Sequence, residues 1–121
     1  MNVLESKNLG VLASYPNYDR RSLQCGIAHM SVGGFHRSHQ AVFIDRYLQK
    51  RPENWMIYGV GNLDADITLV EALNAQDNLY TLTERSGSQD DIRVIGSIKE
   101  FVHAPTNKSK VIDALASDEI K

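Results

Sequence analysis

The sequence predicts an α/β domain whose sheet is largely parallel. Short apolar runs typical of buried strands alternate with stretches in which apolar residues recur at helical spacing. A polar, turn-rich connector joins two further β-like runs, which is typical of a hairpin. At 121 residues the chain has room for one domain. Alternating strands and helices favour a parallel sheet covered by helices.

The first part of the chain predicts a lead-in, a strand and a helix. Residues 1–24 have no clear periodicity and read as an irregular lead-in. Residues 26–30 are a short apolar run that predicts a buried strand. Residues 35–50 predict a helix, because Phe43 and Tyr47 form an i,i+4 pair on one side. These elements alone make one strand-to-helix unit.

The second part repeats the alternation and adds a hairpin. The predicted elements are a strand at 55–58, a helix around 66–73, two hairpin strands at 79–84 and 92–97, and a helix at 108–116. The chain then stops at Lys121, where a further strand is due. We therefore expect a truncated domain with an inserted hairpin, in which the first strand presents an unpaired edge.

Composition excludes several classes of partner. The formal net charge of −2 gives no electrostatic reason to expect nucleic acid or an anionic membrane surface. No long uncharged apolar stretch is present, so we expect no membrane association. Cys25 is the only cysteine, which fits a reducing compartment. We expect a cytoplasmic protein.

The most informative stretch is residues 31–36, SVGGFH, here called the glycine loop. It lies between a predicted strand and a predicted helix, where dinucleotide-binding domains carry G-x-G-x-x-G. Gly33 holds the second glycine position, but Ser31 stands at the first and His36 at the third. If position 31 requires a positive φ, serine costs roughly 1–2 kcal/mol there. On the pattern alone the match is poor, with one glycine out of three; the strand-to-helix context and the basic residues that follow leave a nucleotide-binding turn and a plain bend equally open.

Basic residues follow the glycine loop directly. His36, Arg37 and His39 fall in the first turn of the predicted helix, where a cation opposes the helix dipole. An anion bound at the helix start explains such a turn. The alternative is that Arg37 is a surface residue paired with a nearby carboxylate.

Several stretches together resemble one protein family. Residues 33–40, GGFHRSHQ, are similar to the G-G-F-H-R-[AS]-H-Q run of the mannitol dehydrogenase family, and the resemblance continues at 58–61, 76–82 and 94–98. The family comprises long-chain, metal-independent polyol dehydrogenases. The resemblance implies a Rossmann-like NAD-binding domain, incomplete, over residues 25–121. His36 belongs to the family pattern, whereas Ser31 replaces a glycine of the relatives.

The resemblance also implies a function for the loop. The loop residues predicted to bind NAD are Ser31, Val32, Gly33, Gly34, Phe35, His36 and Arg37, and those from Gly33 to Arg37 are predicted to lie against the pyrophosphate. The family's catalytic lysine, with an asparagine and a histidine, belongs to a C-terminal helical domain. We therefore predict no catalytic residue within this chain, and we expect the chain alone to be inactive.

The expected substrate is a polyol/ketose pair, with mannitol and fructose favoured. Fructuronate reduction and a non-catalytic nucleotide-binding module are the alternatives. A degenerate relic without present activity is a further possibility.

Two acidic residues follow the second predicted strand. Asp64 and Asp66 are candidates to accept hydrogen bonds from the adenosine ribose and to repel a 2′-phosphate, which favours NAD over NADP. The alternative is that one of them caps the following helix. His29, inside the first strand, reads as a core histidine. We predict no metal site, because His36 and His39 have no third ligand at a suitable spacing.

Overall fold

The computed structural model describes residues 14–121, apart from the side chain of Gln89. Its strands are β1 (Cys25–Met30), β2 (Met56–Gly61), β3 (Tyr80–Ser86), β4 (Gln89–Ile95) and β5 (Ile98–His103). Its helices are α1 (Gly34–Ser38), α2 (Gln40–Lys50), α3 (Ile67–Asn74) and α4 (Lys108–Leu115). Short 3-10 turns span Asp64–Asp66 and Ala104–Thr106. The lead-in predicted at 1–24 lies partly outside the described residues.

The principal sheet has three parallel strands in the order β1-β2-β5. Residues of β1 pair with β2 from Cys25 opposite Met56 to Met30 opposite Val60. β2 pairs on its other side with β5, so that Gly61 lies opposite His103. This arrangement confirms the predicted α/β, Rossmann-like class.

The middle strand explains where the core lies. All six residues of β2 are buried, and successive side chains of a strand point to opposite faces. Ile57 belongs to one apolar cluster, with Val42 and Val70. Tyr58 and Val60 belong to a second cluster. Both faces of the sheet are therefore covered, which is typical of parallel sheets.

The hairpin is a separate two-stranded antiparallel sheet, β3 with β4. Its strands run further than predicted, because Ser86 still pairs with Gln89. The predicted loop over 85–91 is therefore wrong, since only Gly87 and Ser88 separate the strands. Gly87 has a φ of 65°, a value that glycine adopts without steric cost.

Two further predictions are corrected by the structure. The single helix predicted at 35–50 is two helices that meet at His39, whose φ and ψ of −125° and −84° are not helical. The sequence analysis also missed β5, where the half-buried Lys99 and the exposed Glu100 interrupt the apolar pattern. β5 supplies the third parallel strand, and it pairs with β2 rather than with β1.

At the other side of the sheet, β1 pairs only with β2 among the described strands. As predicted, this edge of β1 has no neighbouring strand among residues 14–121. One contact touches it, because the backbone N–H of Lys121 donates to the carbonyl oxygen of Gly26 at 2.9 Å.

The part of the lead-in that is described packs firmly on the domain. The Tyr18 hydroxyl donates to the buried carboxylate of Asp45. The Arg20 guanidinium donates to the carbonyls of Gly96 at 2.7 Å, Asp77 at 2.8 Å and Ile98 at 3.1 Å. These bonds tie the lead-in to the passage between β4 and β5.

Within residues 14–121, no helix is long and apolar enough to cross a membrane. α2 has 11 residues, whereas a spanning helix needs about 20 apolar residues.

Candidate functional site

The glycine loop leaves the carboxyl end of β1, the edge at which open α/β sheets bind ligands. The backbone N–H of Ser31 donates to the carbonyl of Val60 in β2 at 2.8 Å, which continues the strand pairing into the loop. The N–H of Gly33 then turns back to the carbonyl of Ser31 at 3.0 Å. The chain therefore changes direction sharply between β1 and α1.

Ser31 makes this turn in a left-handed conformation, with a φ of 67°. That conformation is the one glycine adopts freely and serine adopts at a cost of roughly 1–2 kcal/mol. The Ser31 hydroxyl oxygen accepts a hydrogen bond from the Asn62 side chain at 3.2 Å, which joins the loop to the segment after β2. The suspected requirement for a positive φ at position 31 is therefore present in the structure.

The two glycines of the loop leave its backbone open to solvent. Both Gly33 and Gly34 are exposed, and a Cβ placed at Gly33 would have no atom within 4 Å. At Gly34 the nearest atom to such a Cβ is the Arg37 Nη2, at 4.0 Å. The N–H groups of Gly34 and Phe35 begin α1, and neither has an acceptor among the described residues. The loop thus presents free donors beside an empty surface.

Arg37 faces the loop rather than a carboxylate. Its Nε donates to the carbonyl of Gly33 at 3.3 Å, and no described acidic side chain forms an ion pair with it. The carbonyl of Arg37 accepts a hydrogen bond from the Tyr80 hydroxyl, which fixes the end of α1 against β3. Because α1 has only five residues, the positive charge of Arg37 matters more here than a helix dipole.

His36 is buried beneath the loop and does not point toward its open face. Its ring stacks on the His29 ring with centroids 3.7 Å apart. Burial lowers the His36 pKa to about 4, with the neighbouring His29 acting in the same direction and Gln40 opposing it. Neither His36 ring nitrogen lies in hydrogen-bonding geometry with a described residue. His29 is therefore a half-buried stacking partner, not the satisfied core residue that was expected.

The remaining loop side chains also have distinct places. Val32 is buried, and a Cβ added at Gly59 would lie 2.6 Å from its Cγ2 atom, so the glycine allows the loop to pack directly on β2. Phe35 is 78% exposed and stacks on His39 at 4.1 Å. Val32 and His36 can therefore contribute to the open face only through their backbone.

The two acidic candidates differ in their surroundings. An Asp66 carboxylate oxygen accepts a hydrogen bond from the backbone N–H of Leu63 at 3.0 Å, so this residue closes the 3-10 turn, whereas the predicted alternative, a side-chain cap on the following helix, is not made by Asp66. The Asp64 side chain is exposed and has no hydrogen bond or ion pair to another described residue. Asp64 is therefore the carboxylate that is free to receive a ligand.

Sequence reasoning missed two residues around this site. Asn62 bonds to Ser31, and His103, at the carboxyl end of β5, reaches the carbonyl of Leu63 at 3.0 Å. His103 was missed with β5 itself, although it precedes an Ala-Pro pair that ends the strand. In the described part of the chain, no cluster of three histidine, cysteine or acidic residues could hold a metal ion.

Comparison with known proteins places the whole described domain in one group. A family model, the mannitol dehydrogenase Rossmann domain, matches residues 25–120. The mannitol 2-dehydrogenase of Aspergillus fumigatus is 43% identical over 98% of this chain and 25% of its own length. The chain therefore spans about a quarter of the length of such curated relatives.

Two solved structures of polyol dehydrogenases are also similar to this chain. The Pseudomonas fluorescens mannitol 2-dehydrogenase, described as a ternary complex with NAD and D-mannitol, superposes with a TM-score of 0.91 at 39% identity, covering 99% of this chain and 25% of that chain. A D-sorbitol dehydrogenase in substrate-free form superposes with a TM-score of 0.88 at 30% identity, covering 98% and 25% of the two chains.

Proposed function

Because this chain belongs to the mannitol dehydrogenase family, we propose that it is the N-terminal cofactor-binding portion of an NAD-dependent oxidoreductase. The proposed reaction interconverts a polyol and a ketose, with mannitol and fructose as the favoured pair. NAD supplies hydride transfer when bound, and the residues of this chain hold and orient it. Two relatives named for hexitols, mannitol and sorbitol, support this substrate class.

The observation that carries the proposal is the open backbone of the glycine loop. A dinucleotide diphosphate needs close access to backbone N–H groups at the carboxyl end of the first strand. The unpaired N–H groups of Gly34 and Phe35 and the empty space at Gly33 meet that need. The Arg37 guanidinium, folded over the loop, adds the positive charge that a diphosphate favours.

Asp64 is proposed to bind the adenosine ribose. Its free carboxylate can accept hydrogen bonds from the ribose hydroxyls, and it repels a 2′-phosphate. Asp66 is assigned to the turn instead, because its carboxylate already accepts from Leu63. This assignment favours NAD over NADP.

The substrate side of the reaction is proposed to lie outside these residues. The relatives are about four times as long as the part that this chain matches. We assign no catalytic proton donor to residues 14–121, and we expect NADH to bind to this chain without turnover of mannitol or fructose.

The test is a titration of the purified chain with NADH, followed by nicotinamide fluorescence, with Gly33→Ala as the decisive variant. Gly33 has a φ of −96°, and its Cβ position is empty, so alanine adds no strain to the folded chain. We expect an unfolding free energy within about 0.5 kcal/mol of the original. NADH binding should weaken by at least about tenfold, because the added methyl group occupies the approach to the loop.

Ser109→Thr is the matched control. It also adds one methyl group, but on the exposed surface of α4, far along the chain from the glycine loop. Its NADH affinity should equal that of the original chain. Equal binding by Gly33→Ala, or no saturable NADH binding by the original chain, would contradict the proposal.

A further inference from the structure

The segment after β2, residues 62–66, carries Asp64 but is poorly anchored by packing. Leu63, in its middle, is 66% exposed, so its side chain does not fix the backbone. Hydrogen bonds do so instead. The Leu63 N–H donates to Asp66, and the Leu63 carbonyl accepts from the N–H of Asp66 and from His103. Of the partners of Leu63, His103 alone belongs to another element of the described fold, and the Asn62 side chain makes a further bond out of the segment, to the Ser31 hydroxyl.

His103 is well placed to hold that carbonyl. The residue is 4% exposed and ends β5, the strand next to β2. A carbonyl only accepts hydrogen bonds, so the His103 Nε2, 3.0 Å from the Leu63 oxygen, must carry a proton. Its Nδ1 lies 2.9 Å from the Thr106 hydroxyl, which can donate to it. With both ring nitrogens engaged, the ring has one orientation.

We propose that His103 is a positioning residue for cofactor selection. By holding the Leu63 carbonyl, it fixes the 62–66 segment and so sets where the Asp64 carboxylate meets the cofactor's ribose. This inference rests on the proposed function, because it assigns Asp64 to the adenosine ribose. It predicts that the preference for NADH over NADPH depends on a buried histidine that does not touch the cofactor.

Two amide substitutions of His103 distinguish the hydrogen bond of its Nε2 atom from that of its Nδ1 atom. In His103→Gln, the side-chain amide nitrogen takes the place of Nε2 and can still donate to Leu63. In His103→Asn, the amide reaches only the position of Nδ1, so the bond to Thr106 can persist while the bond to Leu63 is lost. Both variants place a polar amide in the same buried site. A difference between them therefore reports on the Leu63 bond.

The first measurement needs no cofactor. Amide hydrogen exchange of the intact chain, followed by NMR, should become about fivefold faster at Leu63 and Asp66 in His103→Asn, as expected for the loss of one hydrogen bond. His103→Gln should stay close to the original rate. The amide of Tyr58, inside β2, should be unchanged in both. Equal exchange at Leu63 in all three proteins would overturn the proposed anchoring.

The second measurement is the ratio of the dissociation constants for NADPH and NADH. We expect His103→Asn to lower this ratio by about fivefold, and His103→Gln to preserve it. A purely structural role would weaken both cofactors equally and leave the ratio unchanged, which would overturn the selection role. If the original chain binds neither cofactor, the proposed function fails and the selection role with it, whereas the exchange rates still decide the anchoring.

Discussion

The left-handed conformation of Ser31 can be measured directly by comparing two replacements. Ser31→Gly and Ser31→Ala both remove the hydroxyl that accepts a hydrogen bond from Asn62. They differ only in whether a Cβ must be held at a φ of 67°. The difference between their unfolding free energies therefore reports on the backbone alone.

The size of that difference follows from two opposing effects. A residue with a Cβ costs roughly 1–2 kcal/mol in the left-handed region. Glycine loses more backbone freedom on folding, which costs it roughly 0.5–1 kcal/mol. From the midpoints of these two ranges we expect Ser31→Gly to be more stable than Ser31→Ala by about 0.75 kcal/mol.

Urea unfolding at neutral pH measures the difference, provided that both variants unfold with the same denaturant dependence. An alanine variant as stable as the glycine variant would refute the idea that position 31 is strained. If the loop receives a diphosphate, Ser31→Gly should also tighten NADH binding, because the turn can then adjust without steric cost. Unchanged or weaker binding would show that this position does not need the freedom of glycine.

Three further predictions concern stability. Asp45→Ala should lower the unfolding free energy by about 3 kcal/mol, because the buried carboxylate accepts from the Tyr18 hydroxyl and the Gly96 N–H; Asp45→Asn, which keeps one acceptor, should lose less in the same urea assay. Gly59→Ala should cost about 1–3 kcal/mol, since its methyl group would lie 2.6 Å from Val32, and an unchanged urea midpoint would argue against this close packing. Burial lowers the pKa of His36 in the folded protein to about 4, below its ordinary value of 6.5. The contribution of the neutral His36 ring to the free energy of unfolding is therefore complete above pH 6.5 and is lost as the pH falls toward 4. Across that window stability should fall by up to about 1.4 kcal/mol per pH unit from this group, and His36→Phe should flatten the curve measured by urea unfolding at several pH values.

The sequence predicted those features of the fold and the site that depend on neighbouring residues. The strand-to-turn-to-helix context identified the glycine loop, and the serine at position 31 was correctly suspected of needing a positive φ. The break between α1 and α2 at His39 was not predictable from periodicity, since residues 36–40 are all polar and the apolar i,i+4 spacing lies within α2. Tertiary contacts of α1, including the Tyr80 hydroxyl on the Arg37 carbonyl, have no local signal in the sequence.

The supporting residues of the site were harder to predict than its glycines. The polar Lys99 and Glu100 hid β5, and with it His103, whose hydrogen bond to the Leu63 carbonyl depends on the pairing of β5 with β2. The choice between Asp64 and Asp66 could be stated from the sequence as ribose binding or capping. Only the hydrogen bond from Leu63 distinguishes them. Residue identity thus suggested the chemistry, and the local backbone geometry of the turn determined which carboxylate is free.

The bonds made by the lead-in have a practical consequence for anyone who trims this chain. The family model begins at residue 25, yet the Arg20 guanidinium, upstream of that boundary, donates hydrogen bonds to the carbonyls of Gly96 and Ile98, between β4 and β5 and at the start of β5. A piece cut at the family boundary would leave those oxygens without the Arg20 donor, and the Asp45 carboxylate would keep the Gly96 N–H and the Gln49 amide but lose the Tyr18 hydroxyl. Recombinant designs should therefore begin upstream of Tyr18, so that the bonds of Tyr18 and Arg20 to the rest of the domain are kept.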